Sequence, residues 1–527
     1  MEIRDLRLSK SFSFRDFSNI KEKLGFTFGD ITLLALCFLI GFLIRLIPEL
    51  MVFSKPLGFD TVYYATRLSD GVIWTQWSDF FTTSWLLYSF FAPFHILQTN
   101  PFLVLKFLAP LLYGLNVAAI YWFGRKKLGW GKKMCLIAAV LFSIQLAALR
   151  ISWDLLRNLL GMSLLLFSLS YIDRLSSKTD FILFLFFSLL TVFAHEYSAV
   201  ILLGIIIISI IWHLIDKEFR WPDQKIILAA IPAFIVFLIG FLLRFHTFPS
   251  TTTNIIGTDE FVFGRSFFFV NYLSVNDGVF YYPKYLDLLF DVTILFCFLY
   301  FSYFLLIFKG FFKDRILIIW TSILLICTFG CLVFPFFAVD LWSRWMFLLV
   351  YPFTFYATNG IHRIFNSKHL RLNKIQIGYI IASLIIALSL TSMYLATPVL
   401  MKKTNIGVYS FPQVSAHFSS APGVPFEDVN DVISSMSWLN DNIEMDSSVL
   451  LQDAFLYWGR LYLNNSVLKV RFLNNIKAAL DLTLKEDLSK AYLIWWKQDI
   501  GWYNLTIPDQ FIELKSFNRI TIYLYNE

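Results

Sequence analysis

The feature that most constrains this chain is a series of apolar runs, each about as long as a lipid bilayer is thick. A spanning helix needs about 20 mostly apolar residues, and the stretch from Phe181 to Ile211 is apolar except near His195 and Glu196. Hydrophobic residues make up 57% of the 527 positions, whereas soluble proteins contain about 45–50% on a broader apolar count. The sequence therefore predicts a mainly α-helical polytopic membrane protein.

The apolar runs predict about eleven transmembrane helices. They lie at 31–49, 101–124, 134–150, 158–175, 180–194, 196–215, 225–244, 288–308, 315–337, 345–361 and 375–397. With these spans, the basic clusters of five connecting segments fall on the side of the N-terminus, as the positive-inside rule requires. They are Arg125, Lys126 and Lys127 with Lys132 and Lys133; Arg174 and Lys178; Lys217, Arg220 and Lys225; Lys309, Lys313 and Arg315; and Arg363, Lys368, Arg371 and Lys374. Segment 1–30 is polar and basic and lacks the cleavage site of a signal peptide, so we expect it to stay attached in the cytoplasm.

The charge distribution argues against a nucleic-acid partner, and the cysteine positions argue against a disulfide framework or a zinc site. The net charge is +7, but the basic residues cluster in short loops between spans, which reflects topology and predicts no nucleic-acid partner. All five cysteines lie in apolar segments without metal-ligand spacing. Neither a disulfide framework nor a zinc site is therefore expected.

The side opposite the N-terminus receives the longer segments of the transmembrane part 31–397. These are the outer loops 50–100 and 245–287, several short turns, and the tail 398–527. The tail is less apolar and predicts a small extracytoplasmic α/β domain. Its predicted elements are a helix at Asp428–Asn442 and strands at Ser448–Leu451, Tyr492–Trp495 and Ile520–Leu524.

The first outer loop contains aromatic residues at helical spacing. Trp74, Trp77, Phe81 and Trp85 recur with polar residues between them, which predicts a helix lying in the membrane interface. Such a helix is either an ordinary aromatic anchor or a platform for a lipid substrate.

The stretch PLGFDTVYY, from Pro56 to Tyr64, carries the first candidate site residue. It places Asp60 beside Tyr63 and Tyr64 just beyond the first predicted span. A carboxylate at a membrane boundary is costly unless it pairs, binds a cation or transfers protons. Asp60 is therefore a functional candidate.

A second acid, Asp154, lies in the outer turn RISWDLLRN. It is flanked by Arg150 and Arg157 at spacings of four and three residues, so a local ion pair within the turn is a serious alternative to a functional role.

Two further outer turns contain ionisable residues. His195 and Glu196 would either cap a tight hairpin or face a polar cavity, and a pair of ionisable groups at a span boundary favours a site. Arg344, in DLWSRW, suits recognition of a lipid phosphate. It could instead snorkel or pair with Asp340. The sequence contains no two-histidine metalloprotease pattern, phosphate-binding P-loop or GxSxG elbow.

These features resemble the GT-C superfamily of integral membrane glycosyltransferases, in which an acid of the first outer loop (here GFDTVYY) is followed by a second acid in the next outer loop (here WDLLRN). The superfamily includes protein O-mannosyltransferases, lipid A aminoarabinose transferases and oligosaccharyltransferase catalytic subunits. Its members share the expected topology, with a cytoplasmic N-terminus, a long first outer loop and a soluble outer C-terminal domain.

The resemblance implies an inverting transfer of sugar from a polyprenyl-phosphate donor to a glycan, lipid or protein acceptor at the outer face. Asp60 corresponds to the general base, and Asp154 to the acid that binds a divalent ion in metal-dependent members. Asp60 and Asp154 would then share Mg²⁺ or Mn²⁺, or act separately. His195 and Glu196 have a looser counterpart as catalytic residues. The implied substrate-binding residues are Tyr63, Tyr64, Arg150, Arg157 and Arg344.

Two departures limit the resemblance. The tail has no WWDYG-type motif; its nearest strings, DAFLYWG (Asp453–Gly459) and LIWWKQD (Leu493–Asp499), do not match, which argues against transfer to a peptide sequon. Asp60 is also a single acid, unlike the doubled acid of O-mannosyltransferases.

A prokaryotic plasma membrane is the expected location. The alternative function is a transporter or flippase of a lipid-linked glycan, which predicts internal repeats that are not evident here.

Overall fold

The fold is taken from a computed structural model that describes residues 28–366 and 423–525 with short gaps. The gaps are 53–54, 72–76, 78, 83–84, 99, 216–220, 246–253, 257–268, 274–281, 283, 445–446, 465, 473–475, 486–489 and 498–506. The predicted span 375–397, Trp74 and nearly all of segment 1–30 lie outside the described residues.

The first part of the chain is helical. Its helices are α1 (Phe28–Met51), α2 (Thr61–Ser69), α3 (Asp79–Thr82), α4 (Leu86–Leu97), α5 (Pro101–Lys126), α6 (Lys132–Ile144), α7 (Leu146–Asp154), α8 (Leu156–Leu169), α9 (Lys178–Ala194), α10 (Glu196–Ile215), α11 (Trp221–Phe245), α12 (Tyr285–Tyr300), α13 (Phe304–Gly310), α14 (Arg315–Val333), α15 (Trp342–Leu348) and α16 (Val350–Asn366). Short 3₁₀ turns at Ile172–Arg174 and Phe301–Tyr303 join α8 to α9 and α12 to α13.

The count of about eleven spans is not confirmed. Within the described residues, six helical segments are long and apolar enough to cross a membrane, or seven if the pair α6–α7 counts as one span. That pair bends by 60°. Other predicted spans became shorter helices, such as the 14-residue α8. The apolar runs therefore locate helices, but a helix can break within a run, as it does at Gln145 between α6 and α7.

Glycines allow the first and fifth helices to pack closely. A Cβ on Gly41 of α1 would lie 2.6 Å from a methyl group of Val117, and a Cβ on Gly114 of α5 would lie 2.7 Å from the carbonyl oxygen of Phe38. Small residues at such crossings are typical of helix packing in membranes. The close crossing fixes α1, whose end leads into the first outer loop.

The charged loops converge at one end of the helical part. Asp30, near the start of α1, pairs with Arg125 at 3.1 Å and with Lys132 at 3.8 Å. Lys127 pairs with Asp314 at 3.9 Å and also with Asp173. Because Asp60 follows the other end of α1, these basic loops and Asp60 lie at opposite ends of the helices.

The second part of the chain is a six-stranded sheet with helices packed on it. Its elements are α17 (Val429–Asn442), β4 (Ser447–Gln452), α18 (Asp453–Tyr462), β5 (Leu468–Phe472), α19 (Ile476–Lys485), β6 (Lys490–Trp496), β7 (Phe511–Phe517) and β8 (Ile520–Tyr525). The predicted helix and all three predicted strands are present. Elements β5, β7, α18 and α19 were not predicted from the sequence.

The sheet also takes one strand from the second outer loop. Its order is β1-β5-β4-β6-β8-β7, where β1 is Asn254–Ile256, paired antiparallel with β5. Strands β5, β4 and β6 are parallel to one another. The same loop pairs β2 (Phe269–Val270) with β3 (Ala338–Val339), just before α15. This loop therefore contacts both parts of the molecule.

Candidate active site

Asp60 lies at the start of α2 with its carboxylate facing a basic side chain. It occupies the N-cap position but makes no capping hydrogen bond through its side chain. Instead, Arg344 Nη2 lies 3.4 Å from Asp60 Oδ2, across 284 positions of sequence. Both side chains are about one quarter exposed, at 25% for Asp60 and 28% for Arg344. The pair therefore lies at a surface that a substrate can reach.

Arg344 is carried by α15, whose start is fixed by a network of hydrogen bonds. Tyr272 donates its hydroxyl proton to the Val339 carbonyl at 2.9 Å and accepts the Trp342 N–H at 3.2 Å. Asp340 Oδ1 accepts the Leu341 N–H at 2.8 Å. These contacts hold the turn ahead of α15, so that Arg344 projects toward Asp60.

Gly58 brings the first outer loop onto the second outer turn. Its φ of +99° lies in the left-handed region that favours glycine. A Cβ there would lie 2.1 Å from the carbonyl oxygen of Trp153. Asp154 is the next residue and the last of α7, and its side chain lies outside the description. The segments that carry Asp60 and Asp154 are therefore in backbone contact.

Arg157 and a group of tyrosines form the next part of the site. The Arg157 guanidinium lies 5.6 Å from the ring centre of Tyr63, within cation–π range. Arg157 also lies near Tyr64, Tyr88 and Glu196. The fold thus brings together four predicted site residues: Tyr63, Tyr64, Arg157 and Glu196.

His195 serves as a cap in this structure. It is 2% exposed, and its Nδ1 accepts the Tyr197 N–H at 3.1 Å at the start of α10. Its ring packs edge-on against Tyr197, which stacks on Trp345 at 4.4 Å. The Nδ1 atom of His195 therefore caps the start of α10, as the first of the two interpretations expects. His195 thereby supports the helix that carries Glu196.

Arg150 is buried beside the helix that carries Arg344. Its guanidinium lies 5.5 Å from the Phe347 ring and 6.0 Å from the Trp153 ring. It is 6% exposed, in contrast to Arg344. Arg150 is therefore placed to support α15 rather than to meet a substrate at the surface.

Tyr457, from the sheet-containing part of the chain, also lies at the site and was not predicted from the sequence. Its ring lies 5.1 Å from that of Tyr63, and its carbonyl accepts a hydrogen bond from Thr66 Oγ1 at 3.2 Å. Tyr457 also interacts electrostatically with Asp60. Tyr457 belongs to the segment DAFLYWG, which does not match the WWDYG-type motif. The residues of this segment therefore gave little indication that Tyr457 lies at the site.

The described residues do not form a metal site. Among them, no group of three His, Cys, Asp or Glu side chains is placed to hold a metal ion. Asp60 also faces the Arg344 guanidinium, which offers no ligand atom and competes with a cation for the carboxylate. The side chain of Asp154 lies outside the description, so binding of Mg²⁺ or Mn²⁺ by Asp60 and Asp154 stays a prediction.

The arrangement joins the partly exposed pair of Asp60 and Arg344 with a second guanidinium group, Arg157, and with buried tyrosine rings. A carboxylate can accept a proton from a hydroxyl group, and guanidinium groups stabilise a departing phosphate. The rings of the predicted substrate-binding residues Tyr63 and Tyr64 are only 7% and 2% exposed, so they pack behind the charged groups.

Comparison with known proteins identifies a fold but no sequence family. No family model matches the chain, and no curated protein matches it. The solved structure of the Archaeoglobus fulgidus oligosaccharyltransferase, in complex with Zn and sulfate, is similar with a TM-score of 0.55 and 14% identity. The similarity covers 88% of this chain and 67% of the archaeal chain. At this identity the comparison shows a shared fold.

Proposed function

We propose that this protein is a GT-C type membrane glycosyltransferase that uses a polyprenyl-phosphate-linked sugar as donor. The observation that carries the proposal is the Asp60–Arg344 pair at 3.4 Å, located at the end of the helices opposite the basic loops. The fold shared with an oligosaccharyltransferase supports glycosyl transfer as the type of reaction. The acceptor is a glycan, lipid or protein hydroxyl group on the extracytoplasmic face.

Each proposed residue acts on a defined atom. Asp60 accepts the proton of the acceptor hydroxyl as its oxygen bonds to the anomeric carbon. The bond from that carbon to the phosphate oxygen breaks, and the lipid phosphate leaves with the electron pair and a developing negative charge. Arg344 and Arg157 stabilise this charge. Attack opposite the leaving phosphate inverts the anomeric configuration.

The other candidate residues assist in this proposal. Tyr63 and Tyr64, which are buried, support Arg157 from behind, and Glu196 helps to orient Arg157, near which it lies. Arg150 and His195 hold the helices behind Arg344 and Glu196. Asp154 lies at the turn that Gly58 contacts, where it can help to orient the acceptor.

The test is transfer of a labelled sugar from polyprenyl phosphate by the purified full chain in lipid vesicles. Asp60→Asn keeps the size of the side chain but removes the base, so we expect the turnover rate to fall by about 100-fold or more. Asp70→Asn, at the other end of α2, is the matched control and should retain activity. Parallel reactions with Mg²⁺, Mn²⁺ or EDTA make the result independent of a metal requirement.

Full activity of Asp60→Asn would remove the proposed base. Transfer from a nucleotide-linked sugar, with none from the lipid-linked donor, would contradict the donor class. Arg344→Met should raise the KM for the donor, because the guanidinium is proposed to face its phosphate.

A further inference from the structure

A buried group of three charged residues lies directly behind the candidate active site. Glu49 accepts hydrogen bonds from Arg45 Nη2 at 2.7 Å and from Lys106 Nζ at 3.1 Å. The three residues are 0%, 4% and 9% exposed for Arg45, Glu49 and Lys106, respectively. Arg45, Glu49 and Lys106 together form the buried triad.

The remaining hydrogen bonds of the buried triad reach both segments that carry the candidate acids. Arg45 Nε donates to the carbonyl of Ser152 at 3.1 Å, two positions before Asp154. Lys106 Nζ donates to the carbonyl of Val52 at 3.2 Å, where the chain leaves α1 toward Asp60. The triad thus connects the end of α1, the start of α5 and the end of α7.

The triad lies against the loop that contains Asp60. Arg45, Glu49 and Lys106 line a small pocket of about 230 Å³, including its mouth, together with Leu57, Thr61 and Trp153. Within the part of the chain that the structure describes, Arg45 Nη1 and Trp153 Nε1 have no hydrogen-bond partner. Both donors belong to residues that line this pocket.

Stability alone does not explain such a triad. Removing charges from water is costly, and replacing a buried ion pair with well-packed apolar residues is often neutral or stabilising. Buried polar groups can instead select one arrangement of the chain among several. Here the hydrogen bonds to Ser152 and Val52 end on the two segments whose relative position the proposed reaction needs.

We propose that Arg45, Glu49 and Lys106 are positioning residues that hold the loop of Asp60 against the turn of Asp154. The proposal deepens the proposed function and rests on it for its catalytic consequence. The three residues touch no reacting atom; they act through the backbone of the two outer segments.

The main test replaces the whole triad at once, as Arg45→Met, Glu49→Leu and Lys106→Met, so that no unpaired charge stays buried. We expect this variant to melt near the wild-type temperature, while its turnover rate at saturating substrates falls by about 10- to 100-fold, the effect of a small misplacement of reacting groups. The KM values for donor and acceptor should stay within about twofold, because the surface residues are unchanged.

Asp30→Asn is the matched control. It breaks a buried ion pair with Arg125 at the opposite end of the same two helices, α1 and α5. We expect it to lower the melting temperature without lowering the turnover rate. If the turnover rate fell in proportion to the melting temperature in both variants, the triad would have only a stabilising role, and the proposal would be overturned.

A second measurement does not depend on activity. Trifluoromethyl-phenylalanine in place of the exposed Phe59, which precedes Asp60, should give one narrow ¹⁹F resonance in the wild type and in Asp30→Asn. The triple variant should broaden or split this resonance. One unchanged resonance in the triple variant would overturn the positioning role. Absence of sugar transfer by the wild type would instead refute the proposed function and leave this readout valid.

If the triple variant does not fold, Arg45→Lys provides the same test. A lysine retains the charge that pairs with Glu49, but its single ammonium group lacks the fork that reaches both Glu49 and the Ser152 carbonyl. We expect a smaller loss of turnover and a broadened Phe59 resonance. An unchanged rate together with an unchanged resonance would again contradict the proposal.

Discussion

Gly58 determines how closely the two acid-bearing outer segments approach. We expect Gly58→Ala to destabilise the protein by about 1–3 kcal/mol, the usual range for a residue held in an unfavourable backbone conformation, and to slow sugar transfer. The added Cβ would meet the Trp153 carbonyl at 2.1 Å and force the segments apart. Thermal unfolding and single-turnover transfer measure the two effects.

Gly71→Ala is the control for this prediction. Gly71 also has a positive φ, of +65°, but a Cβ there meets no atom of the described residues within 4 Å. It therefore has only the conformational cost, about 1 kcal/mol. Equal behaviour of the two variants would show that the contact with Trp153 is unimportant.

Lys469 of β5 makes the stability of the sheet-containing part depend on pH. Burial, with a smaller contribution from Arg460, lowers the pKa of Lys469 to about 8. Because the folded chain loses this proton more readily than the unfolded chain, the charged form opposes folding below pH 8. This penalty disappears as the pH rises to the ordinary value of 10.5.

We expect the free energy of unfolding to rise by about 3 kcal/mol across this pH range, from the linkage of pKa to stability. Lys469→Met should raise stability at pH 7 and remove the dependence on pH. Urea denaturation followed by tryptophan fluorescence measures both effects. The control, Lys490→Met on the more exposed β6 position, should retain the dependence. A flat wild-type profile would be inconsistent with the lowered pKa.

The candidate site was only partly predictable at the level of single residues. Asp60 and Arg344 were assigned to one face because apolar runs and basic loops determine topology, and the structure places them in contact. Their separation of 284 positions left the distance itself unpredictable. Tyr457 was missed because its role depends on how the sheet-containing part packs on α2, which local sequence patterns do not encode.

Helix α18 attaches the sheet-containing part of the chain to α2 at the edge of the candidate site. We expect Tyr457→Ala to weaken this contact by about 1 kcal/mol beyond the lost burial, since aromatic pairs contribute that much, and to increase amide exchange in α2. Tyr462→Ala, in the same helix, is the control because Tyr462 stacks on Trp458 and not on Tyr63. Similar exchange in both variants would contradict a specific role for Tyr457.

The break between α6 and α7 shows why helices were predicted better than spans. Gln145 lies in an apolar run and adopts an extended conformation, with φ −79° and ψ +133°. Its side chain caps α7 through Ala148 N–H at 3.4 Å and donates to the Leu299 carbonyl at 2.6 Å. Hydropathy located the segment, but a single polar side chain with a distant partner determined the bend.

The whole molecule separates basic loops from the candidate site, and this separation predicts its orientation. A single cysteine at Trp77, which is 72% exposed, should react with a membrane-impermeant maleimide in intact cells. A single cysteine at Lys313, between α13 and α14, should react only after the membrane is permeabilised. These outcomes follow from the positive-inside rule. The reverse pattern would place the proposed active site in the cytoplasm.

At this scale, the sequence predicted a helical part followed by a small α/β domain, because composition changes sharply along the tail. It did not predict that loop 245–287 would supply β1 to the sheet of that domain. Three residues, Asn254–Ile256, carry too little pattern to be recognised as a strand. Such pairings over long sequence distances depend on the assembled structure.

The β1–β5 pairing has a consequence for work with the isolated tail. Without loop 245–287, a fragment beginning near residue 423 would leave the outer edge of β5 unpaired along Lys469, Val470 and Arg471. An open strand edge is a template for pairing with a second copy of the same chain. We therefore expect a tail fragment to self-associate unless a covalently linked copy of residues 254–256 is supplied to close the edge.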